Sequence, residues 1–109
     1  MEKKEIKKIH DIIKKGAEEL GHYFNPNELF TLLLVKGLLE NNERYGYMSC
    51  PCRLASGIYE KDKDIICPCD YRDPDVEEYG ACYCALYVSK DVRDKRLPVG
   101  SIPERRKNL

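Results

Sequence analysis

Residues 50–87 read CPCRLASGIYEKDKDIICPCDYRDPDVEEYGACYCALY and contain all six cysteines of the chain. The cysteines form three Cys-x-Cys pairs, at Cys50/Cys52, Cys67/Cys69 and Cys82/Cys84. This half of the sequence is polar, interrupted by Pro and Gly, and poor in large aliphatic residues. Ordering its backbone costs roughly 1–2 kcal/mol per residue, which so small an apolar core cannot offset. The cysteines are therefore predicted to tie this half of the chain together.

Length and charge limit the class of protein. A chain of 109 residues is predicted to be one domain, residues 1–109, and its 19 basic and 19 acidic residues leave no net charge to attract nucleic acid or an anionic membrane. The longest apolar run, residues 32–35, is too short to span a bilayer, and the charged N-terminus lacks the apolar core of a signal peptide. We therefore expect a cytoplasmic protein, in which clustered cysteines indicate metal binding or redox catalysis.

Hydrophobic periodicity predicts two long helices in the first half of the chain. A first helix is predicted from Lys3 to Leu20, and a second begins after Asn25 as N-cap with Pro26 in the first helical position. Because large apolar residues cover most of the circumference of the second helix, we expect it to be central and buried. His10 and His22, beside these helices, are interpreted as structural residues.

Shorter elements are predicted in the second half. Residues 51–56 are predicted as a short helix ended by Gly57, and Asp73-Pro74 as the start of another that ends near Gly80. Residues 84–88 are predicted to be extended or buried. The remainder is predicted to be a loop-like tail whose basic side chains are solvated: Arg93, Arg96, Arg105, Arg106 and Lys107.

The chemistry of six sulfurs depends on how many of them one centre can use. Proline fixes φ and removes a donor, so a Cys-Pro-Cys segment is stiff and extended, and its two sulfurs point the same way. Zinc takes four ligands, and so does a [4Fe–4S] cluster. Three converging pairs therefore leave two thiols beside the metal.

Two spare thiols can form a disulfide, whose reduction needs two electrons, whereas ferredoxin-type donors deliver one at a time. An iron–sulfur cluster in contact with the half-reduced pair can stabilise that state, but zinc has no redox chemistry. A catalytic arrangement therefore indicates iron. A purely structural arrangement is compatible with zinc and two idle thiols.

The pattern CPCR…CPC…CYCALY resembles the catalytic (β) subunit of ferredoxin:thioredoxin reductase, whose pattern is Cys-Pro-Cys, Cys-Pro-Cys, Cys-His-Cys. The likeness extends upstream through LLLVKGLLENNERYGYMSCPCR and loosely covers most of residues 20–90. It implies a small, mainly α protein of about five helices and loops wrapped around a [4Fe–4S] cluster, with an adjacent redox-active disulfide. It also implies an oxidoreductase that passes single electrons from a ferredoxin-like donor through the cluster to this disulfide, which reduces thioredoxin or a thioredoxin-like protein.

The resemblance assigns a role to each cysteine. The four implied cluster ligands are Cys50, Cys67, Cys69 and Cys82. The implied active disulfide joins Cys52 and Cys84. By the same analogy, Cys52 is the more exposed thiol, which attacks the substrate disulfide, and Cys84 stays against the cluster.

The chain departs from the family pattern at Tyr83, where the family has a histidine. A phenol, with a pKa of about 10, does not exchange protons near neutral pH as an imidazole does, and His10 or His22 would have to approach the cysteines to replace it. The first two pairs are also closer together in the sequence than in the plant and cyanobacterial proteins, and the last two further apart. These departures indicate a divergent, archaeal-type member, one interpretation being that it works without the family's variable subunit.

Arg53 directly follows Cys52 and has two interpretations. Its guanidinium either favours a nearby thiolate or pairs with one of Asp62, Asp64 and Asp70. At the level of function, two alternatives to the reductase stay open. One is a non-enzymatic zinc-binding module with two spare cysteines, and the other is a plain iron–sulfur electron carrier.

Overall fold

The computed structural model describes residues 2–106, and within them the chain is mainly helical, as predicted. The elements follow in the order α1 (Lys3–Glu19), β1 (Tyr23–Phe24), α2 (Glu28–Tyr45), α3 (Tyr59–Asp62), a 3-10 turn (Lys63–Ile65), α4 (Arg72–Tyr79), β2 (Tyr87–Val88) and α5 (Lys90–Arg93). No helix in this part of the chain has the length and apolar character that crossing a membrane requires.

Helix α1 is confirmed and ends one residue before the predicted boundary. Its buried positions, Ile6, His10 and Ala17, face α2, and the lysines between them point to solvent. The His10 side chain is 1% exposed, and its ring nitrogens contact the Thr31 hydroxyl at 2.8 Å and the Asp11 carboxylate at 2.9 Å. His10 is therefore a structural residue that joins the two long helices.

Helix α2 begins two residues later than the Asn25–Pro26 prediction. Asn27 is the actual N-cap, because its side-chain oxygen accepts a hydrogen bond from the Phe30 N–H at 3.1 Å. The side chain of Asn25 instead donates to the Ala85 carbonyl oxygen at 3.1 Å, which ties the start of the helix to the last cysteine segment. The helix ends before Gly46, whose φ of 86° closes the last turn.

The prediction that α2 is central and buried is correct for one face of the helix and wrong for the other. Val35 and Leu38 are 0% and 1% exposed and lie in the core, but Leu29 and Leu33 are 77% and 67% exposed. The reason is the size of the chain: α1 is the main helical neighbour of α2, and the second half folds around the cysteines instead of covering the opposite face.

The predicted helix over residues 51–56 is also wrong, because backbone hydrogen bonds hold this segment in a turn. The Cys50 N–H donates to the Ile65 carbonyl oxygen at 2.8 Å, and the Arg53 N–H donates back to the Cys50 carbonyl oxygen at 3.2 Å. The helix in this region is α3, which starts after Gly57.

The Asp62 carboxylate organises the approach to α3. It accepts hydrogen bonds from the Ser56 and Gly57 N–H groups, each at 3.0 Å, and from the Tyr47 hydroxyl at 2.5 Å. Burial alone would raise the pKa of Asp62, but the hydrogen bonds from Tyr47, Ser56 and Gly57 outweigh burial and lower it to about 2.

The last third of the chain contains one predicted helix and one that sequence reasoning missed. Helix α4 starts one residue before Asp73 and ends at Gly80, as predicted. Of residues 84–88, only β2 is extended, and it pairs antiparallel with β1. Helix α5 was missed although its N-cap, Ser89, accepts a hydrogen bond from the Val92 N–H.

The prediction of a solvated basic tail is wrong for Arg105 and Arg106, both of which pair with carboxylates. Arg105 contacts Asp75 at 2.8 Å, and Arg106 contacts Asp64 at 2.9 Å. Lys107 lies outside the described residues. The tail therefore folds back onto the body of the protein.

Candidate metal and redox site

The first two cysteine pairs lie side by side because the segments that carry them pair antiparallel. Ser49 and Ile66 form an isolated antiparallel bridge. On either side of it, the Cys50 N–H donates to the Ile65 carbonyl oxygen, and the Cys67 N–H donates to the Met48 carbonyl oxygen at 2.8 Å. The bridge fixes the two Cys-Pro-Cys loops in register with each other.

The third pair lies in a tight turn that β2 closes. The Ala85 N–H donates to the Cys82 carbonyl oxygen at 2.8 Å, and Ala85 has a φ of 61°, which reverses the chain. The Cys82 N–H donates to the Tyr87 carbonyl oxygen at 2.9 Å, and the Tyr87 N–H points at the Cys82 sulfur at 3.3 Å. Because β2 pairs with β1, this turn is anchored to the core.

The structure brings together all six cysteines that the sequence singled out, and all six are free thiols. The sulfurs of Cys82 and Cys84 are 3.8 Å apart. The Cys84 thiol lies close enough to Cys50 and Cys52 to perturb the pKa of both. The Cys82 and Cys50 thiols in turn lie close enough to Cys67 to contribute to its raised pKa. The three pairs form one cluster of sulfurs.

Exposure differs among the six. Cys50, Cys82 and Cys84 are buried, Cys67 and Cys69 are half-buried, and Cys52 alone is exposed. A disulfide substrate can therefore reach the sulfur of Cys52 directly, while Cys84 lies behind it.

The protonation behaviour of the cluster suits a metal centre. Burial raises the pKa of the Cys67 and Cys69 thiols, whereas the neighbouring Cys52 thiol lowers the pKa of Cys50. The adjacent Cys84 lowers the pKa of Cys82 to about 7. Buried thiols of this kind become thiolates when a cation binds them, since metal ligation removes the proton.

The potential metal ligands of the described chain differ in how closely they are spaced. Among residues 2–106, the only three potential ligands whose atoms all lie within 4.8 Å of one another are His10, Asp11 and Glu28, and Lys7 already pairs with both of those carboxylates. The sulfurs of a tetrahedral zinc site, with bonds of about 2.3 Å, lie roughly 3.8 Å apart. In the described part of the chain, no three cysteine sulfurs form so compact a group.

Arg53 contacts the cluster, but at a different sulfur from the one its position suggested. Its side chain is 2% exposed, and Nη1 lies 3.5 Å from the sulfur of Cys69. Its carboxylate partner is Glu104, which accepts from Nε at 2.7 Å and from Nη2 at 2.8 Å. The predicted pairing with Asp62, Asp64 or Asp70 is wrong, and nothing in the sequence around Glu104 marked it as the partner.

Two aromatic rings enclose the Arg53 guanidinium. Its central carbon lies 5.1 Å from the ring centre of Tyr71 and 4.5 Å from that of Tyr83. Tyr83, which stands where the family has a histidine, is thus a packing partner for a cation. His10 contacts Thr31 and Asp11, and His22 contacts Arg72, so in the described chain neither imidazole hydrogen-bonds a cysteine sulfur.

An open groove of about 1310 Å³ lies beside the exposed thiol. Its lining includes Cys52 and Tyr83 together with the tail residues Glu104 and Arg106. Leu54, two residues from the exposed thiol, is 92% exposed on its rim. The exposed thiol of Cys52 is therefore part of the lining of an open groove.

The fold and the site define the class of protein: a small, mainly helical protein with six clustered cysteines, one of which is exposed. The model of one family, described as "Ferredoxin thioredoxin reductase catalytic beta chain", matches residues 1–104, and the chain belongs to this family. The resemblance seen in the cysteine pattern is thereby confirmed.

Curated relatives agree with this assignment. The chain is similar to the ferredoxin-thioredoxin reductase catalytic chain of Porphyra purpurea, with 30% identity over 81 residues, covering 69% of this chain and 62% of the relative. The chloroplastic catalytic chain of Arabidopsis thaliana is 28% identical over 93 residues, covering 74% of this chain and 57% of the relative. That of Cyanidium caldarium is 28% identical over 91 residues, covering 78% and 75%. The match thus spans under two thirds of the Porphyra and Arabidopsis chains.

Proposed function

We propose that the protein is an iron–sulfur disulfide reductase: electrons enter singly from a ferredoxin-like donor and leave in pairs to a disulfide of thioredoxin or a thioredoxin-like protein. The observation that carries the proposal is the cluster of six cysteine sulfurs with one exposed thiol at a groove. Membership of the family supports it, since the relatives named above are ferredoxin-thioredoxin reductase catalytic chains.

The proposed ligands of a [4Fe–4S] cluster are Cys50, Cys67, Cys69 and Cys82. When bound, such a cluster accepts and donates one electron at a time. Every donor in the set is a sulfur, and three of these four residues lie on the two loops that the Ser49–Ile66 bridge aligns. The fourth, Cys82, is held in the core by its backbone bond to Tyr87.

Cys52 and Cys84 are the proposed redox pair. The Cys52 thiolate attacks one sulfur of the substrate disulfide, forming a mixed disulfide and releasing the first substrate thiolate, which takes up a proton. The Cys84 thiol then loses its proton and attacks the Cys52 sulfur, which releases the second substrate thiol and leaves a Cys52–Cys84 disulfide. Two electrons and two protons restore the dithiol. Burial of Cys84 behind Cys52 keeps solvent and foreign disulfides from the resolving sulfur.

Disulfide-reduction assays of anaerobically prepared protein test the proposal. Chemically reduced wild-type protein is expected to reduce a thioredoxin disulfide, Cys52→Ser to have no activity, and Cys84→Ser to stop at a mixed disulfide with the substrate. Full activity of Cys52→Ser would show that another thiol attacks.

Metal analysis of the same preparation separates the alternatives. Iron with inorganic sulfide supports the reductase and excludes the zinc-binding module. Iron and sulfide in a protein that reduces no disulfide would identify the simple electron carrier, and zinc alone would overturn the proposal.

A further inference from the structure

Residues 104–106, here called the strap, are linked to the cysteine sulfurs through Arg53. Glu104 accepts two hydrogen bonds from the Arg53 guanidinium, and its Oε1 also accepts one from the Arg106 N–H at 2.8 Å. This places a carboxylate behind the guanidinium, on the side opposite the Cys69 sulfur. The three groups therefore lie in the order Glu104, Arg53 and Cys69, each in contact with the next.

Two further ion pairs hold the strap in place. Arg105 pairs with the fully buried Asp75 and with Glu78, both on α4. Arg106 pairs with Asp64 through two nitrogens, at 2.9 and 3.1 Å. Because these contacts reach different elements, they fix the position of the strap independently of Arg53.

The Arg53 guanidinium has one orientation available to it. Its Nε–Nη2 edge is occupied by both carboxylate oxygens of Glu104, a planar two-point contact that fixes direction as well as distance. The rings of Tyr71 and Tyr83 limit its tilt. The remaining nitrogen, Nη1, therefore points at the Cys69 sulfur.

We propose that Glu104 is a positioning residue that holds the Arg53 guanidinium against the Cys69 sulfur and thereby raises the reduction potential of the centre that Cys69 helps to bind. The inference rests on the proposed function, because it requires a cluster at these cysteines. Hydrogen bonds and positive charge at a ligand sulfur stabilise the more negative, reduced state of a cluster, which raises its potential.

The direction in which the reduction potential changes when Glu104 is replaced distinguishes two roles for this residue: holding Arg53 in position, or acting only through its own negative charge. Glu104 carries a negative charge near the centre, so removing that charge alone would raise the potential. If Glu104 acts by holding Arg53, its removal releases the guanidinium and the potential falls. Glu104→Asp keeps the charge and shortens the side chain by one methylene, so it changes position only.

The experiment is a redox titration of the anaerobic protein, followed by its visible absorbance, for wild type, Glu104→Gln, Glu104→Asp and Arg53→Met. The midpoint potential is expected to fall in all three variants, least in Glu104→Asp. In Arg53→Met the fall is expected to reach about tenfold in the one-electron equilibrium, roughly 59 mV. Adding Glu104→Gln to Arg53→Met is expected to lower the potential no further. An unchanged or raised potential in Glu104→Gln and Glu104→Asp would overturn the inference.

Glu78→Gln is the matched control, because it removes an ion pair of the strap that does not reach Arg53. It is expected to leave the potential unchanged, and a fall equal to that of Glu104→Gln would assign the effect to strap docking in general. Hydrogen exchange of the Arg106 amide gives a second readout, expected to speed up in Glu104→Gln. A protein without iron refutes the proposed function, whereas iron with potentials that do not respond refutes only the role of Glu104.

Discussion

Gly37, in the middle of α2, lies against Pro51 of the first Cys-Pro-Cys pair: a Cβ on residue 37 would be 2.9 Å from the Pro51 Cβ. Real Cβ contacts are not this short, and a proline ring has no flexible end that can move aside. The absence of a side chain at Gly37 therefore allows the cysteine loop to sit directly on the helix.

Gly37→Ala is expected to destabilise the fold and to displace the first pair. Alanine improves helix propensity by up to about 1 kcal/mol, but overpacking against Pro51 costs about 1–3 kcal/mol. Urea unfolding measures the net loss, and iron content reports the displacement. Gly16→Ala in α1 is the control, since no atom lies within 4 Å of its new methyl group, and it is expected to stabilise the protein by about 0.5–1 kcal/mol. Equal effects of the two changes would contradict the packing account.

Serine substitutions of proposed ligands are expected to lower the iron content of the protein, whereas substitutions of the other cysteines are not. Cys67→Ser removes a proposed ligand, so anaerobically prepared protein should lose most of its iron. Cys52→Ser removes an exposed thiol that is not a proposed ligand, and its iron content should match wild type. Iron retained by Cys67→Ser and lost by Cys52→Ser would reverse the assignment.

Asp62→Asn is expected to lower stability at neutral pH and to have progressively less effect as the pH falls below about 4. The pKa of Asp62 in the folded state, about 2, lies below its ordinary value of 3.8, so the ionised carboxylate stabilises the fold above pH about 4. This contribution is lost as the pH falls toward 2. Losing hydrogen bonds to a buried charge costs about 2–3 kcal/mol at neutral pH.

Unfolding midpoints measured between pH 2 and 7 check this expectation. The difference between wild type and Asp62→Asn should shrink as the pH falls below about 4. A difference that stays constant down to pH 2 would show that the carboxylate is not responsible.

Leu54→Ser is expected to weaken the use of protein disulfides without affecting small ones. Leu54 is 92% exposed two residues from Cys52, and under the proposed function a docked protein substrate would cover it; losing one such contact costs about 1–2 kcal/mol, or roughly tenfold in kcat/KM. Rates are measured with oxidised thioredoxin and with a small aromatic disulfide. Leu29→Ser, on the exposed face of α2, is the control. Equal losses with both substrates would place the defect in the chemistry instead of docking.

Local signals predicted local structure. The spacing of Ile6, Ile9 and Ile13 predicted α1, and the Cys-x-Cys repeat identified the six cysteines that the fold brings together. The start of α2 was misplaced because Asn25 and Asn27 are both plausible N-caps, and only a long-range bond from Asn25 to Ala85 decides between them.

The contacts of the strap could not be predicted from sequence. Arg53 and Glu104 are 51 residues apart, and a carboxylate in a charged tail carries no sign of its partner. The exposed leucines of α2 illustrate the same limit. The apolar content of a helix does not show which of its faces the rest of a small chain leaves uncovered. Contacts between residues far apart in the sequence determine both the partner of Arg53 and the exposed face of α2.

The central claim is that two of the six cysteines form a redox pair beside a cluster held by the other four. Its most direct test is mass-spectrometric mapping of alkylated thiols in anaerobic protein, before and after reduction with the cluster intact. The account predicts that Cys52 and Cys84 become alkylated together, only after reduction, while Cys50, Cys67, Cys69 and Cys82 stay protected. Alkylation of all six at once, or of a different pair, would contradict it.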